Sequence, residues 1–120
     1  MNLQESGQMY LEAIFVLSKS QANVRSVDVS EYLGYSKPSV SRAVGLLKDG
    51  GYVITNDSGC LELTDEGRKI AENTYERHTV LTQFFISIGV SEQIAAEDAC
   101  KIEHDISEEA FEALKRHMQK

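Results

Sequence analysis

Tryptophan is missing from the 120 residues, proline occurs once and cysteine only twice. One proline leaves no room for a proline-rich linker, and two cysteines, Cys60 and Cys100, cannot build a disulfide framework. In a reducing compartment each of them is a buried small hydrophobe or a ligand. No apolar run approaches the ~20 residues that a membrane helix needs, and residues 1–5 are too polar to open a secretory signal. A cytoplasmic chain with no membrane partner is therefore expected. Positive charge is scarce as well: 12 Lys and Arg stand against 19 Asp and Glu, a net charge of −7. That balance excludes a protein that coats nucleic acid with its whole surface. It leaves phosphate binding open only to cations gathered on one face.

What the sequence does have is a core and a segregated charge. Hydrophobic residues make up 42% of it, enough for one domain or two very small ones. Between Arg25 and Lys48 the charged residues are Arg25, Asp28, Glu31, Lys37, Arg42 and Lys48, whereas residues 91–112 are dominated by Glu and Asp. The acidity sits mainly in the second half.

The elements follow from periodicity. Tyr10, Ile14 and Leu17 give a first helix over residues 7–17 that ends near Lys19, with Ser6 as its N-cap. A polar loop covers residues 20–25. Ser26 caps a second, two-turn helix with Val27, Val29, Tyr32 and Leu33 as its apolar positions and Gly34 as its stop. Ser36 caps a third, with Pro38 in the first turn, where its missing N–H costs nothing. Val40, Ala43, Val44, Leu46 and Leu47 form its buried side, and Gly50-Gly51 ends it. Residues 52–55 and 60–64, joined by Asn56-Asp57-Ser58-Gly59, make a β-hairpin. A hairpin straight after a helix-turn-helix is a wing.

Thr64 then caps a long helix from Asp65 to about Ile88, with Ile70, Leu81, Phe84, Phe85 and Ile88 as core candidates and Gly89 as its stop. Ser91 caps a fifth helix with an apolar stripe of Ala95, Ala99, Ile102 and Ile106. Ser107 caps a sixth with Phe111, Leu114 and Met118. Two short helices cannot bury both stripes alone, so pairing with a second copy is expected. The fold class is mainly α: a winged helix-turn-helix DNA-binding domain over residues 1–70 and an α-helical dimerisation domain over residues 71–120.

In such a motif the second helix enters the major groove N-terminus first. The candidate DNA-contacting residues are Arg25, Ser36, Lys37, Pro38, Ser39 and Arg42: hydroxyls and cations for phosphates or base edges, and the proline ring for a thymine methyl. Cys100, Glu103 and His104 stand at i, i+3 and i+4, which on a continuous helix puts thiolate, carboxylate and imidazole on one side. That donor set suits a borderline transition ion rather than calcium or magnesium. The alternative for the same spacing is a buried Cys beside a surface Glu and His. His78 on the long helix, and Met9 with Glu12 at i, i+3 on the first helix, are further candidates; each alone is more often structural.

As a set, these segments resemble the diphtheria toxin repressor family of iron- and manganese-dependent repressors. Gln8-Met9-Tyr10-Leu11-Glu12 is similar to its opening helix, and Ser36-Lys37-Pro38-Ser39-Val40-Ser41 to the start of its recognition helix. Leu63-Thr64-Asp65-Glu66-Gly67-Arg68 is similar to the exit from its wing. Glu76-Arg77-His78 and Glu97-Asp98-Ala99-Cys100-Lys101-Ile102-Glu103-His104 resemble its two metal-ligand segments.

The resemblance implies a homodimeric repressor of metal-uptake genes, in the short form without a C-terminal third domain, that binds its operator when metal is replete. By position, Met9, Cys100, Glu103 and His104 match the iron-type primary site, and His78 matches a ligand of a second site. Glu12 matches a position used by the manganese branch, which has Asp in place of Met9 and Glu in place of Cys100. The sulfur pair points to iron(II), with manganese(II) as the other candidate and cobalt, nickel or zinc as substitutes in vitro. Thr82 and Ala96 stand where the iron branch has two other second-site ligands, so a second site would draw on Glu12, Glu97 or water.

The expected mechanism is a clamp: Met9 from the DNA-binding domain and Cys100, Glu103 and His104 from the dimerisation helices share one ion and so set the spacing of the recognition helices. Three competing readings are a winged-helix regulator that senses a small organic ligand or an oxidant, a catalytic metal centre, and a protein-interaction adaptor. The enzyme reading lacks a general base, a phosphate-binding Gly-rich loop and room for a substrate pocket.

Overall fold

The computed structural model describes residues 5–120. The polar stretch at residues 1–4 lies outside the described residues. Six helices and one hairpin follow in the order α1 (Glu5–Ser20), α2 (Ser26–Leu33), α3 (Lys37–Asp49), β1 (Val53–Thr55), β2 (Leu61–Leu63), α4 (Asp65–Ser87), α5 (Glu92–Ile102) and α6 (Glu108–Met118). The chain forms two compact units whose boundary falls within α4, between Glu72 and Asn73.

The first unit packs α1, α2 and α3 with the hairpin. Its centre is Leu11 and Ile14 from α1, Val29 from α2, Val40 and Val44 from α3, and Val53 from β1, all at most 5% exposed. Each such side chain contributes roughly 1.5–3 kcal/mol by leaving water. The α2–α3 turn depends on Gly34 at φ 75°, whose N–H reaches the Ser30 carbonyl at 2.9 Å. Ser36 caps α3 as expected, its Oγ accepting from the Ser39 N–H at 3.3 Å. In the hairpin Val53 pairs with Leu63, Ile54 with Glu62 and Thr55 with Leu61. Asn56 Oδ1 accepts from the Ser58 and Cys60 N–H groups at 2.9 and 3.0 Å, so one side chain closes the turn. The Leu61 N–H donates to the Val24 carbonyl at 2.7 Å and stitches β2 to the segment before α2. Where the wing leads into α4, a Cβ added at Gly67 would collide with the Tyr52 carbonyl.

Several positions differ from expectation. Ser6 lies inside α1 rather than capping it. Arg25, not Ser26, is the N-cap of α2, because the Asp28 carboxylate three residues on accepts the Arg25 N–H at 2.9 Å. Leu46 is not part of the buried side of α3 but is 68% exposed. Val40, Val44 and Leu47 sit at i, i+4 and i+7 and fill the core; Leu46 instead shares the solvent stripe of Ser39 and Arg42. Tyr32 is likewise exposed.

In the second unit Leu81, Ala95, Ala99 and Phe111 are buried. Ile88, expected in the core, is 63% exposed because α4 ends at Ser87 and the chain turns at Gly89 with φ 105°. The fifth helix stops at Ile102, so the stripe expected to run on to Ile106 is cut short. The Ala99 and Ile102 carbonyls of its last turn accept the backbone N–H groups of Glu103, Asp105 and Ile106, and the carbonyls just beyond the helix are taken by a side chain. Arg77 Nη1 donates to the Glu103 and Ile106 carbonyls at 3.2 and 2.7 Å. Ser107 then caps α6 by accepting the Ala110 N–H at 3.0 Å.

Candidate functional site

Two places concentrate chemistry, one in each unit. In the second unit, α4 presents His78 and the turn after α5 presents Glu103 and His104. His78 Nδ1 lies 2.9 Å from Glu103 Oε2, and His104 Nε2 lies 3.3 Å from Glu103 Oε1. The Glu103 side chain is 1% exposed, that of His104 3% and that of His78 30%. Removing a carboxylate from water costs several kcal/mol unless charge or hydrogen bonds compensate. One oxygen has that compensation. The other, Oε1, makes no hydrogen bond among the described residues despite its neighbour at 3.3 Å.

A buried oxygen with an unused lone pair, flanked by two imidazoles, fits a divalent cation of the first transition row. A dication would neutralise the carboxylate and take an imidazole nitrogen as a further ligand. His78, Glu103 and His104 are the side chains here that would hold it.

The cluster is framed by groups that composition and spacing did not single out. Arg77, next to His78 on α4, holds the backbone of Glu103 while His78 meets its carboxylate, so one residue is gripped at both ends. The Arg77 guanidinium also pairs with Glu108 at 3.2 Å and lies 5.3 Å from the Phe111 ring centre. Lys115 on α6 pairs with Glu76 on α4 at 2.8 Å, and that hydrogen bond raises its pKa above the usual lysine value. The signal for Arg77 was its place beside His78; its targets are backbone carbonyls, which leave no trace in sequence.

Cys100 is exposed on α5, whereas the side chains of Glu103 and His104 are buried. Glu103 is the C-cap of α5, in αR conformation with its N–H on the Ala99 carbonyl, so it still follows the helix one turn after Cys100, and His104 comes next. Thr82 Oγ1 donates to the His78 carbonyl at 2.7 Å, which leaves it a local backbone role, and Glu97 is exposed. On α1, Glu12 and Met9 are half-buried; the Met9 sulfur accepts from Tyr35 Oη at 3.7 Å. Tyr35 also meets the Tyr10 ring edge-on, and burial, with Tyr35 nearby, raises the Tyr10 pKa.

In the first unit, Ser36, Lys37, Pro38, Ser39 and Arg42 are all exposed along α3. Ser36 Oγ and Ser39 Oγ lie 2.8 Å apart, so the two hydroxyls are presented as a pair. Arg25 is exposed too, but its guanidinium is partly committed: Nη2 donates to the Ser58 carbonyl in the wing turn at 2.8 Å. This contact braces the wing against the start of α2.

The profile of a family described as iron dependent repressor, N-terminal DNA binding domain, matches residues 2–61. The profile described as iron dependent repressor, metal binding and dimerisation domain, matches residues 64–120. The transcriptional regulator MntR of Escherichia coli is 35% identical over 111 residues, which is 92% of this chain and 72% of that regulator. Its namesake in Salmonella typhimurium is 34% identical over 105 residues, 88% of this chain and 67% of the other. Among solved structures, a manganese-dependent transcriptional repressor in complex with manganese superposes with a TM-score of 0.85 at 27% identity. The manganese regulator SloR superposes with 0.85 at 24% identity. Each of these two is covered over about half its length (52% and 53%) by 94% of this chain.

Proposed function

Because the chain belongs to the iron-dependent repressor family, we propose that it is a metal-activated transcriptional repressor that binds duplex DNA as a homodimer, a role without catalysis. The observation that carries the metal part is the Glu103 carboxylate: 1% exposed, flanked by His78 and His104, with one oxygen lacking a hydrogen bond among the described residues.

His78, Glu103 and His104 are assigned as ligands on that basis. Met9, Glu12 and Cys100 are assigned as further donors because they match ligand positions of the family. When bound, the ion would supply positive charge to the carboxylate oxygen that has no hydrogen bond among the described residues. The carboxylate oxygens suit manganese(II), and relatives named for manganese support that ion. The sulfurs of Met9 and Cys100 are the feature that favours iron(II).

On the DNA side, Ser36, Lys37, Pro38, Ser39 and Arg42 face the major groove, with Arg25 at the wing. A dimer presents two such helices to half-sites roughly 34 Å apart. Metal occupancy raises operator affinity by favouring the arrangement in which both helices engage, a coupling of about 1–3 kcal/mol.

The test is fluorescence anisotropy on a duplex selected from a random pool, titrated with manganese(II), iron(II) and zinc(II). We expect five- to 150-fold tighter binding with manganese(II) or iron(II) than after chelation. Equal affinity with and without metal would remove the proposal.

A further inference from the structure

Leu46 is the most exposed large hydrophobic side chain among the described residues, at 68%. A single exposed leucine is ordinary on a protein surface. Its position sets this one apart. It lies on α3, at i+4 from Arg42 and i+7 from Ser39, so it continues the stripe formed by those two polar residues. The opposite stripe, Val40, Val44 and Leu47, is the one that fills the core. Packing within this unit therefore does not account for an apolar residue at 46.

Resting on the reading of α3 as the helix that enters the major groove, we infer that Leu46 reads the methyl group of a thymine. The groove edge offers one apolar group among hydrogen-bonding ones, the C5 methyl of thymine, and an aliphatic side chain is its natural partner. Leu46 lies about 10 Å along the helix from Ser39 at 1.5 Å per residue, close to the ~12 Å width of the major groove. The hydroxyl pair and Pro38 engage one step of the site, and Leu46 engages a different one nearer the rim. Leu46 is thus a specificity-determining residue: it adds preference for T·A at one position of each half-site and contributes nothing to phosphate binding.

The experiment uses the metal-loaded full chain and a duplex selected by it from a random pool. Each thymine is replaced singly by deoxyuridine, which lacks only the methyl group. Wild-type protein should lose about fourfold in affinity at one thymine per half-site, equivalent to ~0.8 kcal/mol for one buried methyl-sized group. In Leu46→Ala that penalty should vanish, while penalties at other thymines and the salt dependence stay unchanged. Alanine is at least as good a helix former as leucine, and the site is exposed, so the variant folds.

If the variant keeps the same deoxyuridine penalty at every thymine, the assignment is overturned. Weaker binding to all duplexes with the methyl effect intact overturns it as well, because it marks a structural role. If the wild-type protein selects no duplex, the DNA-binding reading itself fails; a selected duplex whose methyl effects ignore Leu46 sinks this inference alone.

Discussion

Glu103 shows how one residue can hold opposite requirements. A carboxylate at 1% exposure is unfavourable in the metal-free chain, yet that burial is what gives an oxygen its value as a ligand. Glu103→Gln removes the charge and keeps the shape. The variant should melt at the same temperature as the metal-free wild type or higher. It should also lose the stabilisation by manganese(II) expected of the wild type, about 2.7 kcal/mol at a hundredfold excess over Kd. Differential scanning calorimetry with and without metal measures both. Arg77 is the complementary case, 11% exposed and structural in its contacts. Lysine has one donor nitrogen, whereas Arg77 reaches two carbonyls and a carboxylate from two, Nη1 and Nη2. Arg77→Lys should cost roughly 1.5–3 kcal/mol per charge-assisted bond lost. Denaturant unfolding of the metal-free protein reads that loss, and metal affinity should fall with it because the backbone of Glu103 is released.

At the scale of elements, the wing is a three-residue pair of strands closed by Asn56 and tied down at two points. One tie is the backbone bond from Leu61 to Val24, the other the Arg25 guanidinium on the Ser58 carbonyl. Arg25→Ala should leave the helices intact and loosen the turn. Hydrogen exchange at the Ser58, Gly59 and Cys60 amides is expected to accelerate, with little change at α1 or α3. Unchanged exchange there would show that the brace has no mechanical role. The end of α5 is the other element-level outcome. Periodicity alone runs the helix on through Ile106; the chain leaves it at Ile102, and Arg77, from a different helix, takes the Glu103 and Ile106 carbonyls beyond.

For the whole molecule, the acidic balance and the unburied apolar side chains bear on assembly. Ile86, Ile88 and Ile94 are 40%, 63% and 46% exposed around the α4–α5 corner. A proposed homodimer through the helical unit would cover them. Ile88→Asp should shift the protein toward monomer in sedimentation equilibrium and weaken operator binding, with the secondary structure unchanged by circular dichroism. A dimer unaffected by that substitution would place the interface elsewhere. With a net charge of −7, the affinity for DNA must come from the few cations on the first unit.

The order of elements, the caps at Ser36 and Ser107 and the wing turn were readable in the chain, as were His78, Glu103 and His104 as candidate donors, because periodicity, turn chemistry and side-chain type are local properties of residues. Burial was not. Leu46, Tyr32 and Ile88 were expected to face a core and face solvent, since an apolar side chain says that it prefers shelter but not which neighbour will provide it. The joining of His78 to Glu103, and the grip of Arg77 on the carbonyls after α5, needed residues 25 to 29 positions apart to meet. Contacts of that range depend on where helices end and how they pack, and no short stretch of sequence carries that information.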